Sequence, residues 1–217
     1  MVKYFFIGIG LFCVSLGMPP TSAGADPATL ARQLQQTYEK TTSFQADFTQ
    51  ITSMQLSKRQ RKGEGSLTIL KPGLMRWDYN QPDRQVFICD GKTMTMYFAQ
   101  SAQEIVMDAR EYLQSDVTYS FFMGTGDILR DFEPRLPGAD YCCGEVPDLM
   151  LYPRVEHGQV EHLEIWLNNR HLVRRLKIFD HFGSITELNF TNISLNQPVD
   201  RQVFRFAPPP GTEIVKQ

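Results

Sequence analysis

The chain is short of every motif that usually announces an enzyme. It has no HExxH or other zinc spacing, no GxSxG nucleophile elbow, no P-loop and no complete GxGxxG. Its carboxylates are scattered, so no acid/base pair can be nominated. Charge of either sign is also scarce in excess: the formal net charge is −2 and there is no polybasic run. That removes the electrostatic footprint expected of a nucleic-acid binder or of an anionic-lipid binder. CxxC is absent, and two adjacent cysteines, Cys142 and Cys143, do not make a metal-ligand spacing. The four histidines, His157, His162, His171 and His181, read as exposed sheet residues, although His162 and Glu164 share a strand face. Neither a catalytic residue, a metal ligand nor a cofactor is expected. Repeats, low-complexity segments and linkers are missing too, so nothing divides the chain.

What is present is ordinary for a globular protein: 42% hydrophobic and 21% charged residues over 217 positions. Thirteen prolines and fifteen glycines suit short strands and turns better than a helical bundle. The one long apolar run is FFIGIGLFCVSLG, after Lys3. It has the length of a signal-peptide core and is too short for a membrane anchor. With Ala23-Gly24-Ala25 behind it, residues 1–25 are expected to be a cleaved leader and 26–217 a single soluble domain. Phe12 precedes Cys13, which does not suit a lipidation signal. Outside the cytoplasm one disulfide is permitted, Cys89 with Cys142 or with Cys143, leaving one thiol.

Asp26-Pro27 starts a helix over about 27–41, with Leu30, Leu34 and Tyr38 on one stripe beside Ala31. From Phe44 the period changes to two. FQADFTQITSM, GEGSLTIL, LMRWDY, RQVFICD and KTMTMYF read as successive strands. The basic stretch SKRQRKG reads as a solvated hairpin tip, and Asp90-Gly91 as a tight turn. Between about 100 and 134 the alternation fades, and two or three short helices are expected. DLMLYPR, QVEHLEIWLN, LVRRLKIFD and SITELNFTNISLN then form a meander, and VFRFA (203–207) a last strand. The fold class is α+β, with a large antiparallel sheet and a few short helices.

Met75, Trp77 and Tyr79, and then Met94, Met96 and Phe98, recur at period two on strands expected to be neighbours. Methionine fills irregular gaps and adapts to varied partners. A wide sheet with such a face and little helix to cover it suggests a lined pocket for an apolar ligand.

The segments FQADFTQ (44–50), GEGSLTILKPGLMRWDYNQP (63–82), QVFICDGKTMTMY (85–97) and FTNISLNQPVDRQVFRFAPPPGTEIVKQ (190–217) keep a recognisable order and spacing. In them the chain resembles the periplasmic outer-membrane lipoprotein carrier family, the LolA type. The resemblance implies an incomplete antiparallel β-barrel, or half-barrel, with a lid of short α-helices over an apolar concave face. It implies a monomeric periplasmic chaperone that shields lipoprotein acyl chains. Cargo would come from an inner-membrane ABC-type lipoprotein-releasing complex and pass to an outer-membrane lipoprotein acceptor. Met75, Trp77, Tyr79, Phe87, Met94 and Met96 would line the lipid site under Leu34 and Tyr38. Arg76 and Asp78 would lie on the convex face. Where the family usually has arginine as the lid latch, this chain has Lys71, which lacks a planar fork. Tyr38 stands where an apolar residue is usual. Relatives of the same fold leave other readings open: a carrier of another lipid such as a glycolipid, the lipidated acceptor itself, or a periplasmic stress sensor.

Overall fold

The computed structural model describes residues 26–54, 59–110, 122, 126–142, 144–155 and 160–217. The leader read over 1–25 lies outside them, as do Cys143, His157 and most of the stretch between Arg110 and Gly126.

Helix α1 spans Pro27–Glu39, ending two residues short of the expected boundary. The Asp26 carboxylate accepts from the amides of Ala28 at 3.3 Å and Thr29 at 3.1 Å, and Pro27 occupies a first-turn position that needs no amide. Its buried stripe is Ala31, Leu34 and Tyr38, as the spacing requires.

The described strands build one sheet. Its strands are β1 (Ser43–Met54), β2 (Arg59–Leu70), β3 (Leu74–Gln81), β4 (Gln85–Asp90), β5 (Thr93–Phe98) and β6 (Gln103–Asp108). They continue with β7 (Phe132–Arg135), β8 (Leu149–Pro153), β9 (Val160–Leu167), β10 (Val173–Asp180), β11 (Ser184–Leu195) and β12 (Glu213–Lys216). A helical turn, α2, occupies Ile128–Asp131, and a 3₁₀ turn occupies Arg201–Phe204. The order across the sheet is β12-β6-β5-β4-β3-β2-β1-β11-β10-β9-β8-β7. Two antiparallel meanders, β1 to β6 and β7 to β11, are joined where β1 pairs with β11. Only β12 runs parallel to its neighbour. The sheet does not close, and β12 and β7 are its edges. This is the incomplete barrel with short helices that the family resemblance implied, and it is mostly β.

Three elements differ from expectation. β6 and β7 fall inside the stretch expected to be helical. On β6 Ile105, Val106 and Met107 are consecutive, so period two is blurred there. Residues 203–207 form no strand. Asp200 caps the 3₁₀ turn instead, and the last strand is β12, beyond the Pro-Pro-Pro-Gly run. Of the basic stretch, Arg59 to Gly63 already belong to β2, while Ser57 and Lys58 lie outside the described residues.

Alternation sorts side chains onto two faces. The inner face, with α1 and α2, holds the main core, including Phe44, Phe48, Leu67, Trp77, Met94, Leu151, Ile165 and Leu188. The outer face carries a smaller cluster, Leu74, Val86, Ile88 and Tyr97, sealed by Phe204. Arg76 helps hold that seal, donating to the Val203 carbonyl at 2.6 Å while its guanidinium pairs with Asp78 at 2.5 Å. Gly65 has a steric reason: a Cβ there would lie 1.8 Å from the Asp78 carbonyl oxygen.

Candidate functional site

Register lines the inner face in rows. Ala46, Leu67, Trp77, Phe87, Met96 and Ile105 are successive cross-strand partners, as are Phe44, Ile69, Met75, Cys89, Met94 and Met107. A third row runs Phe48, Gly65, Tyr79, Gln85 and Phe98. The Met75/Trp77/Tyr79 and Met94/Met96/Phe98 strands are therefore not neighbours. β4 lies between them, and Phe87 and Cys89 bridge the two groups.

Met75, Trp77 and Met94 are buried, and Tyr79, Phe87 and Met96 pack half-buried against the same cluster. Trp77 stands edge-on to Phe48 at 4.7 Å, and its indole N–H donates to the Met75 Sδ at 3.1 Å. Tyr79 lies 4.9 Å from Phe48 and donates its hydroxyl to the Gln50 Oε1 at 2.8 Å. A second aromatic group, which sequence reasoning did not assemble, sits beneath α1. Phe122 lies 5.4 Å from Phe44, 5.2 Å from Phe190 and 5.6 Å from Tyr38. The period on β1 could have put Phe44 and Phe48 on this face; nothing local to Phe122 could have done so.

Helix α1 packs Leu34 and Tyr38, both fully buried, into the same core, with the Tyr38 ring beside Phe44 and Phe122. Polar contacts also hold it. The Lys71 Nζ donates to the Tyr38 backbone carbonyl. Burial pushes this ammonium below the usual lysine range, with Glu39 opposing the shift. The Tyr38 hydroxyl accepts from the Val173 amide at 3.2 Å, and burial raises the phenol above its usual range, so it stays neutral. The Gln35 side chain ties α1 to α2, accepting from the Ile128 amide at 2.7 Å and donating to the Gly126 carbonyl at 3.2 Å. Gln35 has no sequence signal, because an isolated glutamine on a helix is ordinarily solvated.

Two smaller expectations change. Cys89 and Cys142 are not joined to each other: Cys89 is buried in the inner rows and Cys142 is exposed. Cys143, the other candidate partner, lies outside the described residues. His162 is not an exposed sheet histidine. It is half-buried on the outer face, stacked 5.2 Å from Tyr152 and 4.1 Å from Phe179. Among the described residues no cluster of three His, Cys, Asp or Glu side chains could hold a metal ion. What the geometry offers is a wide, soft apolar surface beside α1.

Known proteins agree with that picture. An outer-membrane lipoprotein carrier protein of Nitrosomonas europaea is 29% identical over 189 residues, covering 87% of this chain and 90% of that one. Another, from Pseudomonas fluorescens, is 26% identical over 202 residues, covering 93% and 95%. In fold, the chain is similar to the crystal structure of an uncharacterized conserved protein from Thermus thermophilus. The TM-score is 0.53 at 12% identity, over 88% of this chain and 98% of that one. The family model described as outer membrane lipoprotein carrier protein LolA matches residues 39–207, from the end of α1 past the 3₁₀ turn. The chain belongs to this LolA family, whose members are carriers and not enzymes.

Proposed function

We propose that this protein is a periplasmic chaperone that covers the acyl chains of lipoproteins and ferries them from the inner to the outer membrane. The observation that supports it best is the inner face itself. Met75, Trp77, Tyr79, Phe87, Met94 and Met96 belong to one apolar surface, and Leu34 and Tyr38 roof it. Leaving an acyl chain in water costs about 0.8 kcal/mol per methylene, so such cargo cannot cross an aqueous compartment uncovered. Thioethers and ring edges accept an alkyl chain and carry no strong hydrogen-bonding group of their own.

Loading requires the roof to lift. Lifting α1 gives up the Lys71 and Val173 hydrogen bonds to Tyr38, and the Gln35 clip draws α2 along with it. The Lys71 ammonium, half-desolvated when closed, regains water when open, which offsets part of the lost contact. A closed state preferred by only a small margin suits a carrier that must also let go. Lys71 is the latch in this scheme, and residues 26–217 work as one unit once the leader over 1–25 is removed. An inner-membrane ABC-type releasing complex supplies the cargo, and an outer-membrane acceptor takes it.

The test is release. Purified protein added to spheroplasts carrying labelled outer-membrane lipoproteins should bring them into the supernatant as a one-to-one complex. A folded protein that releases none, with a matched export complex present, would turn the assignment to another lipid cargo such as a glycolipid. Mass spectrometry of co-purified lipid would then identify it.

A further inference from the structure

The inner face is graded along its strands. The rows through Phe44 and Ala46 are apolar from β1 to β6. The row through Phe48 turns polar. After Tyr79, whose hydroxyl bonds Gln50, come Gln85, Phe98 and Gln103, with Glu213 of β12 opposite Gln103. Just beyond this row, the turns joining β3 to β4 and β5 to β6 flank a cleft of about 370 Å³, lined by Asp83, Arg84, Gln85, Phe98, Gln100 and Gln103. Both turns are tied down. The Ala99 amide donates to the Arg84 carbonyl at 3.0 Å, and the Glu213 amide donates to the Ala102 carbonyl at 2.8 Å. Phe98 leads inward, 5.6 Å from Phe87, which lies 5.4 Å from Tyr79. The polar groups here are under-used. Gln103 Nε2 reaches Glu213 Oε2 only at 3.5 Å, beyond the ordinary range for such a bond. Among the described residues no hydrogen bond engages the side-chain amides of Gln85 and Gln100.

We propose that this corner is where the polypeptide of an acylated cargo leaves the protein, its first residues after the lipidated one lying in the cleft, a placement that rests on the carrier reading above. Acyl chains belong on the apolar rows. The peptide attached to them carries a donor and an acceptor in every unit, and both need partners where it emerges. A primary amide side chain supplies a donor and an acceptor together, and three of them converge here. Charge separates a peptide from an anionic headgroup. A headgroup calls for an excess of cations, but Arg84 is the single cation lining the cleft, against Asp83 there and Glu213 beside Gln103. The opposite end of the face offers no such exit, because Tyr38, Phe44 and Phe122 close it ring against ring. Phe98 stands at the junction, apolar towards Phe87 and flanked by amides on its other side.

Photocrosslinking locates the exit. The photoreactive residue benzoylphenylalanine is placed in the cleft, as Gln100→benzoylphenylalanine or Ser101→benzoylphenylalanine, or at the C-terminal end of α1, as Lys40→benzoylphenylalanine. All three native side chains are exposed, and two cleft positions guard against one variant that fails to fold. Each variant is loaded from spheroplasts with a labelled outer-membrane lipoprotein and irradiated as the soluble complex. The crosslinked cargo peptide is then mapped by mass spectrometry. The cleft positions should capture the first few residues after the acylated one severalfold more than position 40 does. A soluble complex whose peptide crosslinks from position 40 as well as from the cleft, or from neither, overturns the exit and leaves the carrier reading standing. Wild-type protein that releases no lipoprotein removes the carrier reading, and the exit with it.

Discussion

The two tryptophans sit on opposite faces of one sheet, and their surroundings differ in kind. Trp77, on the inner face, has rings and sulfur for neighbours: Phe48, Tyr79, and the Met75 thioether as its N–H acceptor. Trp166, on the outer face, donates to the Glu145 carbonyl at 3.1 Å beneath Arg175 and Lys177, whose charged groups lie 5.1 and 5.2 Å from its ring. Those cations are fixed in turn, Arg175 to Glu145 at 3.0 Å and Lys177 to Glu187 at 3.7 Å. A thioether is a weak acceptor, so an alkyl chain can displace it from Trp77 at little cost. A carbonyl and a cation cannot be displaced from Trp166 without leaving polar groups unmatched. The same residue type thus serves a replaceable contact on one face and a permanent one on the other.

The sharpest way to break that comparison is to empty each site. Trp77→Ala and Trp166→Ala should each destabilise the empty protein by about 3–5 kcal/mol in denaturant titrations, since both remove a large buried ring. A medium-chain fatty acid should then recover much of the loss at position 77 by filling the vacancy, through ordinary binding linkage. It should recover nothing at position 166. Equal rescue of both variants, or of neither, would mean that the inner face is a plain core.

This difference was half legible in the sequence. The inner rows announced themselves because Met75, Trp77 and Tyr79 alternate cleanly with Arg76 and Asp78, and Asp90-Gly91 fixed the hairpin behind them. Period two was enough there because only one side of β3 is deeply apolar. β9 defeats it: Leu163, Glu164, Ile165 and Trp166 are all buried, since the segment around Glu145 covers the outer side as α1 covers the inner. A strand buried on both faces has no alternation to read. Lys71 was readable as a latch only through its family position. The Gln35 clip and the Val173 bond to Tyr38 join residues 93 and 135 positions apart, and no local pattern encodes them.

Opening of the roof can be read from inside the inner face. Cys89 is fully buried between Met75 and Met94, so a thiol reagent reaches it only when the inner face opens, and α1 is the element expected to control that opening. In a Cys142→Ser, Cys143→Ser background, Tyr38→Phe should raise the Cys89 labelling rate about tenfold, the equivalent of one buried hydrogen bond near 1.4 kcal/mol. Lys71→Leu should raise it only about threefold, because the lost bond is offset by relief of a desolvated ammonium. It should also impair cargo release. Lys71→Arg should slow labelling, since a planar fork can hold more than one carbonyl. If Lys71→Leu changes neither labelling nor release, the latch is Tyr38 alone.

The smallest expected effect belongs to the outer face and to pH. His162 is stacked between Tyr152 and Phe179, and its Nδ1 is buried without a hydrogen-bond partner among the described residues. Burial lowers its affinity for a proton, only partly opposed by Glu161 and Glu164. The unfolded chain, with an ordinary histidine value near 6.5, therefore takes up the proton first as pH falls. Stability is held above that value and declines below it, until the folded form also protonates. His162→Phe keeps the stack and removes the titration, so its unfolding midpoint should fall less steeply than wild type on acidification from neutral pH. The inner face has no counterpart to this among its described rows, whose residues carry no charge at all. An acid-dependent change in Cys89 labelling that survives His162→Phe would mean that the roof responds to protons through a group other than His162, and a change that His162→Phe abolishes would mean that the two faces are less independent than their packing implies.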